Sequence, residues 1–185
     1  MNELVFFLEE PSAQAMLEGF LPKILPQSTR CRYVVFEGKQ DLERQVVKRM
    51  LGYRVPNVKF VVLRDQDAED CRQVKQRLVQ KCAQGQRPGS LVRVACHELE
   101  SWYLGDLAAV EAGLGLGGLS RQQSRKPYDR PDTVAAPAKK LRAIAPSYQK
   151  IGGSRAIGPH LNPNTNRSRS FAVFVTGIKK LLAEV

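Results

Sequence analysis

Lys59-Phe60-Val61-Val62-Leu63-Arg64-Asp65-Gln66-Asp67 is an apolar run that ends in two acids spaced two apart. A short apolar run bounded by charge reads as a buried strand. If the backbone stays extended, carboxylates at i and i+2 point to the same side. Like charges held close repel until a cation neutralises them, and Mg²⁺ is a common partner for such oxygens. Leu4-Val5-Phe6-Phe7-Leu8 repeats the pattern and ends in Glu9-Glu10. Two strands that deliver acids to one sheet edge predict a metal-dependent site for phosphate chemistry.

Outward from these runs, residues 32–36 and 91–95 read as two more strands. Apolar residues at helical spacing predict helices over 13–21, 42–51, 70–83 and 98–104, with Ser12 and Asp41 as caps and Gly52 as a stop. This βα alternation predicts an α/β, Rossmann-like fold: a mostly parallel sheet of about four strands flanked by helices. Ligands of such sheets sit at the carboxyl ends of the strands, where these acids lie. Beyond Asp106 the texture changes to glycines (Gly113 to Gly118), prolines and basic residues. The expected division is an α/β core over 1–110 and a Gly/Pro-rich basic segment over 111–185. That segment holds a short helix at 139–144 and ends in an amphipathic helix at 170–182, packed on the core.

A chain of 185 residues with 43% hydrophobic and 25% charged content fits a globular domain with a real core. No apolar run approaches the ~20 residues of a membrane span. Glu3 stands where a secretion leader carries Lys or Arg, so a cytoplasmic location is expected. Cys31, Cys71, Cys82 and Cys96 form no CxxC pair and His97 is far from His160, which argues for reduced thiols over a zinc site. The formal charge of +11 points to nucleic acid as a partner, against the plainer alternatives of a solvated basic surface or a face for an acidic protein.

The candidate metal ligands are Asp65 and Asp67, joined by Glu9 as ligand or general base. Glu98 and Glu100, after the fourth strand, are candidates for the same pocket, with Asp106 further on. For Glu98 the alternative is a partner for a helix dipole. Glu69 and Asp70 read as first-turn helix residues. Lys39 reaches a phosphate at this edge or is a solvated turn residue. His97 is a proton carrier or a structural histidine. No phosphate-binding Gly-x-x-x-x-Gly-Lys-Ser/Thr loop is present, and the glycine run follows a helix, which is the wrong context for a dinucleotide. Residues 154–171 read as a polar loop before a helix. Arg155, His160, Arg167 and Arg169 of that stretch, with Arg125 and Lys126 upstream, are candidates for holding a nucleic-acid backbone. The helix start at Ser170 is a further phosphate site.

A Glu ending the first strand and an Asp-x-Asp ending the third resemble the TOPRIM domain of topoisomerases, bacterial primases and OLD-family nucleases. More closely, the chain resembles a bacterial family, domain-of-unknown-function 4276, regarded as TOPRIM-like. The stretches that carry this likeness are Phe7 to Ser12, Phe36-Glu37-Gly38-Lys39-Gln40-Asp41-Leu42, Val61 to Asp67, Cys96 to Asp106 and Asn166 to Phe171. The resemblance implies a Mg²⁺ (or Mn²⁺) site built from Glu9, Asp65 and Asp67. It also implies a partner ATPase of the ABC/SMC-like class in a phage-defence setting. Many TOPRIM domains carry Glu-Gly after strand one, whereas this chain has Glu9-Glu10-Pro11, so both glutamates stand as ligand candidates.

The expected function is therefore a Mg²⁺-dependent nuclease with Glu9, Asp65, Asp67 and Glu100 at its centre. The alternative is a TOPRIM-like module that binds nucleic acid or protein without chemistry. A haloacid-dehalogenase-type phosphatase fits less well, because its Asp-x-Asp follows the first strand, and here the motif follows the third and precedes Ala68. A homo-oligomer is compatible with either reading.

Overall fold

A computed structural model describes residues 3–183. Its strands β1 (Glu3–Leu8), β2 (Arg30–Val35), β3 (Val58–Asp65) and β4 (Leu91–Ala95) pair in the order β2-β1-β3-β4, all parallel. The helices are α1 (Pro11–Phe20), α2 (Lys39–Gly52), α3 (Cys71–Gln84), α4 (Glu100–Leu104), α5 (Leu107–Leu114), α6 (Pro137–Ile144), α7 (Lys150–Ile157) and α8 (Arg169–Ala183). This is an α/β, Rossmann-like architecture. No helix among the described residues is long and apolar enough to cross a membrane.

The strand order explains the sequence pattern. β1 and β3 are central and covered on both faces, so their apolar runs are nearly unbroken: Leu4 to Leu8 are fully buried. β2 and β4 are edges and only half-buried. Alternation along each strand sorts side chains into two layers. Leu4, Phe6, Leu8, Val61 and Leu63 face one layer, packed against α1 and, through residues such as Trp102, Tyr148, Ile157, Phe171 and Phe174, the C-terminal helices. Val5, Phe7, Phe60, Val62 and Val92 face the other, against α2 and α3.

Residues 154–162 depart from the sequence expectation. In place of a loop, 154–160 form the second half of α7 and a following 3₁₀ turn, Gly158–His160, both packed on α1. Gly152 and Gly153 depress helix propensity, which hides the helix in the sequence. Gly153, and Gly158 in the turn that follows, lie at close contacts, while Gly152 faces open space. A Cβ on Gly153 would lie 2.4 Å from Tyr148 Cδ2, and one on Gly158 would lie 2.4 Å from the Met16 carbonyl oxygen. The turn after α7 therefore seats on α1 at a position with no side chain.

Candidate functional site

Parallel register places the acids. Leu8 lies opposite Leu63, so Glu9 leaves β1 beside Arg64 and Asp65 at the end of β3. A Glu9 carboxylate oxygen accepts a hydrogen bond from the Asp65 amide at 3.1 Å and lies 3.8 Å from the Arg64 guanidinium. Asp65 continues the alternation of Val61 and Leu63, toward the layer of α1, α4 and α7. Glu100, the first residue of α4, is 1% exposed; one of its oxygens accepts from the Tyr148 hydroxyl at 2.9 Å. Its other oxygen, Oε2, is buried with no hydrogen-bond partner. Lys150, the first residue of α7, is ion-paired with Glu10.

The electrostatics follow from this crowding. Burial pushes the Asp65 carboxyl well above the usual range, and Glu9, Glu100 and Glu10 push it further while Lys150 opposes them. Glu9 is also raised, by burial first, although the Asp65 amide pulls it back. Burial raises Glu100 against the pull of Lys150. Four carboxylates thus share one lysine and the edge of Arg64. A buried anion without a partner is costly, and such a set favours protonation or a bound cation.

Oxygen donors of this kind suit Mg²⁺ or Mn²⁺. A crevice of about 10 Å³, lined by Glu9, Glu10, Ser12 and Asp65 among others, is at the lower bound of what holds one water-sized species. Glu9 and Asp65 line this crevice, whereas Glu100, with its orphaned oxygen, is not in its lining. Among the described residues, no group of three or more His, Cys, Asp or Glu side chains is arranged to hold a metal ion.

Asp67 is placed differently from the expectation. The strand ends at Asp65, and Asp67 has φ of +56°. The backbone is no longer extended there, so the i, i+2 argument for a shared side does not apply. Asp67 accepts from Lys39 Nζ at 2.8 Å, and its charge reaches Glu9. Lys39 is therefore at the acidic edge, held by a carboxylate. The Asp67 turn is pinned to His97: its amide donates to the His97 carbonyl at 2.8 Å, and His97 Nδ1 donates to the Asp67 carbonyl at 3.0 Å. His97 serves this turn.

Other candidates resolve into caps. Glu98 accepts from the Ala138 amide at 2.7 Å, in the first turn of α6, so it partners the dipole of that helix and not of the helix expected over 98–104. Asp70 caps α3 through the Arg72 and Gln73 amides at 2.9 and 3.0 Å. Asp106 accepts from Ala109 at the start of α5 and from the Asn162 amide. The start of α8 is not open to phosphate. Asp132 takes the Ser170 amide at 2.7 Å and the Ser168 hydroxyl at 2.6 Å. Of the basic candidates, Arg155 and His160 are exposed on α7 and its 3₁₀ turn, Arg125 and Lys126 on the loop before α6, and Arg167 before α8. They lie on separate elements. Arg169 lines a cleft with residues of α3 and β4.

Lys150 and Tyr148 complete the site, and the sequence reading names neither. A cation at the first turn of a helix opposes the helix dipole. That misplacement is the one available signal, and it becomes visible only once α7 is known. Arg64 is a second omission. It is fully buried and bound to Glu43 and Glu69, which Arg77 also holds, Glu69 at 2.6 Å.

No curated protein and no solved structure matches the chain. Residues 8–179, a span that holds both the acids and Lys150, match the family described as Domain of unknown function (DUF4276), and the chain belongs to that family.

Proposed function

We propose that the chain is a Mg²⁺- or Mn²⁺-dependent hydrolase of nucleic-acid phosphodiesters, a TOPRIM-like nuclease. The observation that carries this reading is the uncompensated acid pocket: Glu9, Asp65 and Glu100 with raised proton affinity, an orphaned Glu100 oxygen and Lys150 as the neighbouring cation. Glu9 or Asp65, with Glu100, would hold the ion. When bound, it would supply positive charge to the phosphoryl oxygens. Tyr148 fixes the Glu100 carboxylate. Lys150 pairs with Glu10 in the resting chain and would exchange that partner for a phosphate oxygen. Whichever of Glu9 and Asp65 stays free of the ion is a base for water, its proton affinity already raised by burial. The family resemblance adds an ABC/SMC-like ATPase as the partner that licenses cleavage in phage defence.

The test is a cleavage assay of the full chain on labelled DNA, RNA and tRNA with Mg²⁺ or Mn²⁺, with and without the ATPase. Wild type is expected to cut, and Asp65→Asn and Glu100→Gln to lose at least about a hundredfold, the upper range for groups that only support a metal ligand. Thermal unfolding gives the second readout. Mg²⁺ at a hundred times its Kd stabilises wild type by about 2.7 kcal/mol and leaves Asp65→Asn unmoved. Cleavage of nothing, with or without the ATPase, would sink the nuclease.

One observation favours a second reading, a binding module without chemistry. Asp67 is engaged by Lys39, and no group of three or more His, Cys, Asp or Glu among the described residues is arranged to hold a metal ion. On that reading neither Mg²⁺ nor Mn²⁺ shifts the unfolding of wild type.

A further inference from the structure

A cleft of about 460 Å³ runs along the outer edge of β4. β4 ends the sheet order, so one side of its backbone has no strand partner. The start of α3 forms one wall with Arg72 and Lys75, and the start of α8 forms the other with Arg169. All three are exposed, and none makes an ion pair among the described residues. Arg93 lies on the strand between the walls. It donates to the Val173 carbonyl at 3.1 Å and the Val92 carbonyl at 2.8 Å, and so adds fixed positive charge to the floor. The one acid in the lining is Asp132, already committed to the start of α8. Gln66, which separates Asp65 from Asp67, lines the same cleft, so the cleft opens toward the acidic end of the sheet.

We propose that this cleft is the track for a single nucleic-acid strand, its phosphates held by Arg72, Lys75 and Arg169 and led past Gln66 to the acids. The destination rests on the phosphodiester reading above; the binding does not. Cations on two walls with a polar strand edge between them suit a backbone that repeats one negative charge per nucleotide. The volume is that of a small-molecule pocket, enough for a strand's backbone and too small for a duplex. No aromatic side chain lines the cleft, so recognition falls on phosphates and is blind to sequence.

The test is fluorescence anisotropy of labelled 20-nucleotide single-stranded DNA and RNA with the full chain, in EDTA, across a KCl series. Arg72→Gln/Lys75→Gln is expected to weaken binding about tenfold. Two lost contacts flatten the slope of log K against log salt by about 1.4, at about 0.7 each for single strands. Lys48→Gln/Arg49→Gln removes the same charge from exposed positions on α2 and is expected to leave both quantities near wild type. Equal losses in the two double variants mean binding by net charge alone and overturn the track. So does a wild type that binds a polyglutamate peptide more tightly than the oligonucleotides, which would assign the strand edge to an acidic protein. The two readings fail separately. A wild type that binds through Arg72 and Lys75 yet cuts nothing removes the nuclease and keeps the track. Normal cleavage and affinity in Arg72→Gln/Lys75→Gln remove the track and keep the nuclease.

Discussion

Arg64 and Asp65 are neighbours on β3, yet alternation sends them into opposite layers. On the α2–α3 side, Arg64 is fully buried and meets Glu43 and Glu69, which Arg77 holds from outside: two cations and two anions in one network. On the α1–α7 side, Asp65 meets Glu9, Glu10 and Glu100 with Lys150 as its counter-charge. The first region balances its charges internally, as a structural network does. The second leaves negative charge over, which does not help the fold. Strongly perturbed groups of that kind mark sites, whereas a balanced network marks architecture. Glu9 touches both regions, with one oxygen near the Arg64 guanidinium and the Asp65 amide.

The comparison breaks most readily at Arg64. Arg64→Met leaves Glu43 and Glu69 without their buried partner and is expected to cost about 3–5 kcal/mol in urea denaturation. Changing Glu43 and Glu69 to Met in the same chain should return much of it. A loss below about 1 kcal/mol would mean the network is not structural.

A smaller effect separates the regions by the sign of their pH dependence. Asp65, Glu9 and Glu100 bind protons more tightly folded than unfolded. Above the ordinary values of 3.8 and 4.5 the folded state therefore holds more protons, and their contribution falls as pH rises through the raised values. Glu69 is held low by Arg64 and Arg77; its contribution is present above 4.5 and is lost as pH falls through the lowered value. Urea midpoints against pH in EDTA should show Asp65→Asn flattening the decline toward neutral pH and Glu69→Gln flattening the acid decline. Unchanged slopes in Asp65→Asn would mean the acids do not act on one another.

The smallest effect sharpens the boundary of the acidic region. Glu98→Gln keeps an acceptor for the Ala138 amide and loses a charge at the start of α6, so about 0.3–1 kcal/mol of stability should go, with cleavage intact. A tenfold loss of cleavage would return Glu98 to the site.

What the sequence made legible was what local rules govern. The apolar runs of β1 and β3 are central strands, so they read as unbroken, and Glu9 and Asp65 were found by standing at their ends. Glu100 followed from the turn after β4. Asp67 was misplaced because its positive φ has no signature in a run of Arg-Asp-Gln-Asp. Glu98 was ambiguous because its partner, Ala138, lies 40 positions away. Lys150 and Tyr148 were out of reach because their position depends on α7 packing against α1. Gly152 and Gly153 read locally as helix breakers, which hides α7 itself.

The seat of α7 on α1 also sets an order in time. The acids at positions 9, 65 and 100 leave the ribosome before Lys150, with roughly 85 residues between Asp65 and the lysine, a delay of about 4–17 s at the usual 5–20 residues per second. Until the stretch through Gly158 has emerged and docked against Met16, the pocket has its negative charge and lacks its cation. A chain made only as far as Glu100 therefore carries the acids without Lys150.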